Sequence, residues 1–243
     1  MGSMKNIKQR IANVSSTAQI IKAMDMVSSI KLQKERKQLE GVLPMQKELD
    51  RVADELGSLE ETQSHIYYKE REVKNSLYVV LTSDRGLSGS YNANILKATL
   101  AHMNKGKNEK ILVIGSKGDQ FFRKHKKNIV RKIIDAPAAQ SYYISESLSE
   151  WINDLYVSGE VDEVFIAFTK FENVLTQEPA IKKILPVATS EPKEQDANYK
   201  KYEPDVPTFI DHMIPLYLQI TLFSTFSESY TSEQASRMVS MNT

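Results

Sequence analysis

Residues 7–21, Ile-Lys-Gln-Arg-Ile-Ala-Asn-Val-Ser-Ser-Thr-Ala-Gln-Ile-Ile, begin the pattern that decides the fold. Apolar side chains recur there at alternating steps of four and three residues, at Ile7, Ile11, Val14, Ala18 and Ile21. The grid continues through Leu32, Leu39, Val42, Leu49, Ala53 and Leu56, and it fails at Asp25, Ser28, Glu35 and Gln46. Around the failures a second apolar stripe lies one face away, at Ile20, Met24, Val27 and Ile30.

A repeat of about 3.5 residues that persists over this length is typical of a helix that winds around another helix. We therefore predict one helix over residues 4–57 with a helical partner from a distant part of the chain. A long surface helix that lies on a single domain is the alternative.

The middle of the chain has a different pattern. Residues 77–82 and 110–115 are short, continuous apolar runs, as expected of strands buried on both faces. Helical spacing follows at 93–104, 117–125 and 145–156, and further strand patterns lie at 128–134, 164–168 and 180–187. Because strands and helices alternate, we predict an α/β domain with a mostly parallel sheet over residues 75–206.

A second long helical pattern occupies residues 207–243. Its apolar positions are Met213, Leu216, Ile220, Phe223 and Tyr230. Neither a capping glycine nor a breaker ends the pattern, so the sequence predicts a helix that is incomplete within these residues.

The composition excludes several classes of protein. The 32 Lys and Arg residues nearly balance 31 Asp and Glu residues, which argues against a globally cationic nucleic-acid binder. Cysteine is absent, so disulfides, thiolate metal sites and cysteine nucleophiles are excluded. The most apolar window, residues 213–226, is shorter than the roughly 20 residues of a membrane span, and no secretory leader is visible. We expect a soluble intracellular chain without direct membrane insertion.

Motifs of catalysis are not found in the sequence. No Gly-x-x-x-x-Gly-Lys-Ser/Thr loop occurs, residues 86–89 lack the spacing of a dinucleotide fingerprint, and the four histidines fall in different elements. Residues 115–118 could offer backbone amides to an anion. A Lys/Arg cluster between residues 105 and 132 could contact nucleic acid, but a solvated or protein-facing surface is favoured. We predict no catalytic residue, metal, cofactor or nucleic-acid partner.

Several motifs carry a family resemblance. They are residues 8–14, 20–27 and 31–32 in the first helix, Ser-Asp-Arg-Gly-Leu-Ser-Gly-Ser-Tyr-Asn at 83–92, a hairpin pattern at 171–186, Tyr-Glu-Pro at 202–204, and residues 228–241. Spread along the whole chain, they resemble the gamma subunit, or central stalk, of F-type ATP synthases.

The resemblance implies a Rossmann-like domain inserted between two long N- and C-terminal helices that form an antiparallel coiled coil. It implies a rotor without catalysis of its own, which couples ion-driven rotation to conformational change in the catalytic subunits. Such coupling requires only different interaction free energies with the states of those subunits. The implied partners are the alpha and beta subunits, the epsilon subunit and the membrane ring of c subunits. The implied place is the cytoplasmic side of a bacterial cell membrane, with the proton as coupling ion.

The resemblance also assigns roles to residues. The positions that match the segment facing acidic levers of the catalytic subunits are Lys22, Met24, Asp25 and Lys31. Those that match the contact with the membrane ring are Tyr202 and Glu203. The coiled-coil and second-helix positions are Ile7, Ile11, Val14, Ile21, Glu228, Ser232, Glu233, Arg237 and Met241. A structural turn is assigned to Asp84, Arg85 and Gly86, with Gly86 supplying an unusual conformation and Asp84 bonding local amides.

The last helix departs from the family pattern, because in the family it continues for many turns beyond the position of Met241. The first helix would then expose apolar grid residues, so we expect fraying or a helix-exchanged homodimer in the isolated chain. Two other functions stay open at this point: a shortened gamma-like scaffold or regulator that no longer rotates, and a nucleotide-binding α/β enzyme with helical arms.

Overall fold

A computed structural model describes residues 2–103, 108–189 and 202–242. Its helices are α1 (Gly2–Gly57), α2 (Tyr91–His102), α3 (Ser116–Lys124), α4 (Ser141–Val157) and α5 (Val206–Asn242). Its strands are β1 (Asn75–Leu81), β2 (Asn108–Ile114), β3 (Asn128–Ile133), β4 (Glu163–Phe171) and β5 (Gln177–Leu185). Two long terminal helices therefore flank an α/β domain, which confirms the predicted fold class.

The described strands form one sheet in the order β3-β2-β1-β4-β5. Strands β1 to β4 are parallel, and β5 returns antiparallel to β4 as a hairpin. Helices α2 and α3 cover one face of the sheet, and α4 and α5 cover the other. The direction of strand addition reverses between β1 and β4. The crevice that open α/β sheets use for ligands therefore lies at the carboxyl ends of these two strands.

Helices α1 and α5 pack against each other as an antiparallel pair, called the helix pair below. Gln46 Nε2 donates a hydrogen bond to Thr221 Oγ1 (3.2 Å), and the Ser29 hydroxyl lies 3.2 Å from Met238 Sδ. The residue number in α5 thus rises as the residue number in α1 falls. The predicted antiparallel pairing is confirmed.

The buried face of α1 follows the predicted grid from residue 28 onward. The interpretation that the grid fails at Ser28, Glu35 and Gln46 is wrong, because all three side chains are buried. Gln46 is accommodated by α5, because its side-chain amide donates to the hydroxyl of Thr221. The second stripe does not take over the helix contact, since its members Ile20 and Val27 are exposed.

The observed elements begin near the predicted domain bounds, with β1 starting at Asn75 and α5 at Val206. Residues 190–201 of the predicted α/β domain, like Lys105 and Lys107 of the basic cluster, lie outside the described ranges. No helix within the described ranges is long and apolar enough to cross a membrane.

Candidate functional site

Helix α5 is fastened to the end of strand β4 by two hydrogen bonds to one residue. The Thr169 amide donates to Ser229 Oγ (3.2 Å), and the Ser232 hydroxyl donates to the Thr169 carbonyl (3.0 Å). Two residues further along, the Phe171 amide donates to Glu228 Oε1 (3.1 Å). This residue is half-buried, and desolvation raises the pKa of its carboxyl group while the Phe171 amide opposes the shift. These bonds join α5 to the sheet.

The loop between β1 and α2, residues 83–90, contacts the next two turns of α5. The Ser236 hydroxyl donates to the Ser88 carbonyl (2.8 Å), and Arg237 Nε lies 3.4 Å from the Gly86 carbonyl. From the start of α2, the Tyr91 hydroxyl donates to the Ser229 carbonyl (3.2 Å). We call these contacts of α5 residues 228–237 with β4, the loop 83–90 and Tyr91 the junction.

A buried ion pair lies inside the junction. Arg237 Nη2 and Glu233 Oε1 are 2.6 Å apart, and their side chains are only 7% and 10% exposed. Arg237 Nη1 also donates to Gln234 Oε1 (3.1 Å). Burial raises the pKa of Glu233, and Arg237 opposes that shift. Removing one partner would leave the other charge buried and unpaired, which makes the pair costly to break.

Asp84 ties together the carboxyl ends of three neighbouring strands. Its Oδ1 accepts a hydrogen bond from the Ser116 amide (2.7 Å), and its Oδ2 accepts one from the Asp135 amide (3.0 Å). Ser116 follows β2 and Asp135 follows β3, so Asp84 bonds distant amides rather than the local ones predicted. The prediction for Gly86 is wrong too, because the left-handed conformations of this loop are at Leu87 (φ 62°) and Gly89 (φ 53°).

The helix start at residues 115–118, which the sequence offered as an anion site, is already occupied by the protein itself. The Ser116 amide bonds the Asp84 carboxylate, the Lys117 amide the Ser83 carbonyl (3.2 Å), and the Gly118 amide Thr82 Oγ1 (3.0 Å). With these donors used, the amides are not available to an external anion.

Helix α5 covers the end of β4, on one side of the ligand crevice of the α/β domain. Ser229 and Ser232 bond Thr169 there, and the Tyr91 hydroxyl donates to the Ser229 carbonyl (3.2 Å). Helix α5 therefore occupies the carboxyl end of this strand, where open α/β sheets bind their ligands. Among the described residues, no group of three or more His, Asp or Glu side chains could hold a metal ion.

The four residues assigned to the catalytic-subunit contact lie on α1 near the end of α5. Lys22 and Lys31 are exposed, and Met24 and Asp25 are half-buried. Asn242 Nδ2 donates to Asp25 Oδ1 (3.0 Å), so this carboxylate faces the partner helix. The structure brings these residues together with Met241, which lies half-buried in the last turn of α5.

The first turns of α1 carry an uncovered apolar stripe. Ile7, Ile11 and Val14 are 50%, 63% and 68% exposed, and Ile21 is 37% exposed. These are the grid positions that precede the helix pair. Within the described ranges no other element covers them.

The residues assigned to the membrane ring lie at the opposite end of the molecule, just before α5. The Tyr202 ring packs against Phe209 with a centroid distance of 5.1 Å, and Tyr202 is half-buried, whereas Glu203 is exposed. Burial raises the pKa of Tyr202. Asp205 starts α5 by accepting the Thr208 amide (2.8 Å), a helix cap that the sequence analysis did not identify.

The sequence analysis found four junction residues, Glu228, Ser232, Glu233 and Arg237, through the resemblance alone. It missed Ser229, Ser236 and Tyr91. A signal for the two serines was present, because small hydroxyl residues recur on α5 at steps of three or four, at Thr225, Ser229, Ser232, Ser236 and Ser240. Such a stripe allows close approach of another backbone along one helix face.

Fold and junction together define a class of protein: an α/β domain that is bonded at the end of its sheet to one of two paired terminal helices. Comparison with known proteins identifies the family. The model of the family described as ATP synthase matches residues 3–243, and the chain belongs to this family as a gamma chain.

Relatives with similar sequences carry the same name. The ATP synthase gamma chain of Alkaliphilus metalliredigens is 36% identical over 98% of this chain and 84% of its own length. The sodium ion specific gamma chain of Acetobacterium woodii is 30% identical over 98% of this chain and 85% of its own length.

Solved structures share the fold. The rotor of the Euglena gracilis mitochondrial ATP synthase superposes with a TM-score of 0.67 at 20% identity, over 99% of this chain and 90% of that chain. The central stalk of the Tetrahymena thermophila mitochondrial enzyme has a TM-score of 0.65 at 22% identity, over 92% and 98% of the two chains. The fold of this gamma chain is thus that of ATP synthase rotors.

Proposed function

We propose that this gamma chain transmits torque from the membrane ring to the catalytic subunits as one body and catalyses nothing itself. The junction is the observation that carries this proposal. A shaft can transmit torque only if the domain held at one end does not slip on the helices at the other. Here α5 is bonded to β4 and to the loop 83–90, with a buried ion pair between Glu233 and Arg237 in the contact.

The N-terminal half of α1 is the proposed contact with the alpha and beta subunits. It presents Lys22 and Lys31 to solvent beside the end of α5, on a segment with few acidic residues. Acidic segments of the catalytic subunits would meet these cations, and a shaft with one basic side would interact differently with each of them as it turns. Different interaction energies with open and closed states suffice to bias the states.

The opposite end of the helix pair is the proposed contact with the membrane ring of c subunits. The proposed contact with the epsilon subunit lies beside the α/β domain. Exposed Glu203 and half-buried Tyr202 mark the end of the helix pair where α1 finishes and α5 begins. The protein would then sit at the cytoplasmic side of a bacterial membrane without entering it. The ring would select the coupling ion, for which we propose the proton.

In the isolated chain the exposed stripe of Ile7, Ile11 and Val14 is proposed to pair with the same stripe of a second copy. Burying apolar side chains gains roughly 25 cal/mol for each Å² removed from water. Light scattering should therefore give a dimer that an Ile11→Glu substitution converts to a monomer. A monodisperse wild-type monomer would contradict this pairing.

Rotation is the decisive test of the proposed function. Since the chain has no cysteine, a single Ser158→Cys substitution on the exposed end of α4 provides a unique attachment point for a bead. With the alpha and beta subunits immobilised and the epsilon subunit free to turn, ATP should drive continuous rotation of the bead in one direction. A bound but stationary bead in a complex that hydrolyses ATP would mean a scaffold instead of a rotor.

The charge of α1 can be tested in the same complex. Lys22→Glu should weaken assembly, and more strongly at low salt than at high salt, because exposed charges are screened within about 10 Å at 0.1 M salt. Lys47→Glu, an equally exposed position in the acidic half of α1, is the matched control and should have little effect. Equal affinity of the Lys22→Glu and wild-type chains at low salt would remove the electrostatic part of the proposal.

A further inference from the structure

The molecule has a large cavity that borders the junction. It is a cleft of about 810 Å³ between α1 and the α/β domain. One wall is α1 from Ile20 to Glu35, and another is formed by Asp84, Arg85 and residues 135–139 after β3. Residues 230–237 of α5 and the ends of β1 and β2 also line the cleft. Small-molecule sites typically have volumes of 300–1,000 Å³.

The walls of the cleft are largely apolar. On α1 they include Ile20, Met24 and Val27, and on the facing loop Ala136, Pro137 and Ala138. This is the second stripe of α1, which does not pack against α5. Its apolar side chains therefore border a space that an apolar group could fill.

One buried polar group in the cleft lacks a hydrogen-bond partner. Glu35 lines the cleft, is only 5% exposed, and its Oε2 atom has no hydrogen-bond partner. Buried carboxylates in proteins are nearly always paired or hydrogen-bonded, because an unpaired one costs the desolvation of its charge. Glu233, the other buried carboxylate nearby, is already paired with Arg237.

We propose that this cleft is a binding site for a small amphipathic cation, whose ammonium group pairs with Glu35 and whose apolar body covers the walls. The site goes beyond torque transmission, since it lies between the helix pair and the loops of the α/β domain. A bound molecule would bridge α1 to the loop after β3. It would thereby stiffen the stretch of α1 that leads to Lys22.

An anionic ligand is the alternative, because Lys31, Lys34 and Arg85 also line the cleft, beside Arg237, whose charge is already paired with Glu233. The first three side chains are exposed, so water already solvates their charges and an anion gains little by replacing it. The Glu35 carboxylate is buried, and a charge-assisted hydrogen bond to a buried group is stronger than one to a group in water. The buried carboxylate therefore favours a cation.

Three probes of similar shape and different charge test which sign of ligand charge the cleft prefers. They are 1-naphthylmethylammonium, neutral 1-naphthalenemethanol and anionic 1-naphthoate, titrated into the full chain at pH 7.5 and followed by NMR. We expect the ammonium to bind about tenfold more tightly than the alcohol, which corresponds to about 1.4 kcal/mol. Hydrogen exchange over residues 20–35 should slow on binding.

Three variants separate the site from general surface binding. Glu35→Gln keeps the shape and should reduce the preference for the ammonium to less than about twofold, whereas Glu40→Gln, exposed on the same helix, should leave it at about tenfold. Ala138→Phe fills the cleft and should abolish binding of all three probes. Thermal unfolding verifies that each variant is folded.

Several results would overturn the proposal. They are equal affinities for ammonium and alcohol, tightest binding of the naphthoate, an equal effect of Glu35→Gln and Glu40→Gln, and absence of binding of any probe to the wild-type chain. Because Ala138→Phe does not touch the carboxylate, the volume of the cleft and the charge of Glu35 are tested independently.

Discussion

At the scale of single residues, Asp84 shows how one carboxylate can organise an edge of a sheet. Its two oxygens accept the amides of Ser116 and Asp135, which follow two different strands. Sequence reasoning found Asp84 but assigned it local partners, because nothing in a linear sequence shows which distant amides lie within reach. The parallel order β3-β2-β1 brings them there.

Replacement of Asp84 by alanine should therefore destabilise the α/β domain. Each hydrogen bond to a charged group contributes about 1.5–3 kcal/mol, so we expect a loss of roughly 3 kcal/mol in the free energy of unfolding. Asp84→Asn retains one acceptor and should lose about half as much. Urea unfolding measures both, with Asp154→Ala on the exposed face of α4 as control. A loss for Asp84→Ala no larger than that of the control would show that the two bonds are not important.

Because of Glu35, the free energy of unfolding should depend on pH. Burial raises its pKa above the ordinary value of 4.5, against the opposing effect of Lys34 and Lys31. The folded chain thus binds this proton more tightly than the unfolded chain. The group costs no stability below pH 4.5, and its cost grows as the pH rises through the raised pKa.

Glu35→Gln should accordingly stabilise the chain by about 1 kcal/mol at pH 8 and by almost nothing at pH 4. Urea unfolding at the two pH values measures the difference. Glu40→Gln, which removes an exposed carboxylate paired with Arg36, should show no such gain. An equal effect of Glu35→Gln at both pH values would mean that the carboxyl group does not titrate in the fold as described.

At the scale of elements, the helices and strands could be predicted almost completely from periodicity. From residue 28 onward the grid of α1 gives the buried face correctly, including Ser28, Glu35 and Gln46, whose polarity made it appear interrupted. It appeared so because the grid was scored on hydrophobicity alone. A polar residue is compatible with a buried position when the partner helix offers hydroxyl groups, as Thr221 does for Gln46.

The structure shows a contrast between two apolar grid positions of the same helix. Leu39 is 5% exposed and packs with Val42 and Ile220, whereas Ile11 is 63% exposed. Leu39→Ala should cost about 2–4 kcal/mol through a cavity in the helix pair. Ile11→Ala should cost less than about 0.5 kcal/mol in monomeric chain at low concentration.

Thermal unfolding of the two variants measures this contrast. In the assembled synthase Ile11→Ala should become more costly than in the isolated chain. The reason is that catalytic subunits around the N-terminal half of α1 would cover Ile11. If Ile11→Ala destabilised the monomer as much as Leu39→Ala, Ile11 would be buried in solution, which would contradict its exposure in the structure.

At the scale of the whole molecule, the sequence predicted the parts but not how they are joined. Two terminal helices, an inserted α/β domain and the gamma-chain resemblance were all visible, and the family match confirms them. The junction of α5 with the end of the sheet was not predictable from pattern. It depends on Ser229 and Tyr91, which are 138 residues apart, meeting across the end of the sheet.

The junction bonds α5 to the α/β domain, and an engineered disulfide can test whether the two stay together during turnover. A Cβ atom added to Gly89 would lie 4.0 Å from the Cβ atom of Ser240, within the range of disulfides. The close contact of that position with Ser240 Oγ (2.7 Å) disappears when the serine becomes cysteine. Because the wild-type chain has no cysteine, Gly89→Cys/Ser240→Cys can form only this intramolecular bond.

Oxidation of the double variant in the assembled synthase should leave ATP hydrolysis and rotation within about twofold of the reduced enzyme, since the bond restrains atoms that already move together. The two single variants show what each substitution costs on its own, including the strain of a cysteine at φ 53°. A large loss of activity on oxidation that a reductant reverses would mean that the α/β domain must move relative to α5 in each turn. In that case the junction would be a hinge, and a single rigid shaft would be the wrong description of this protein.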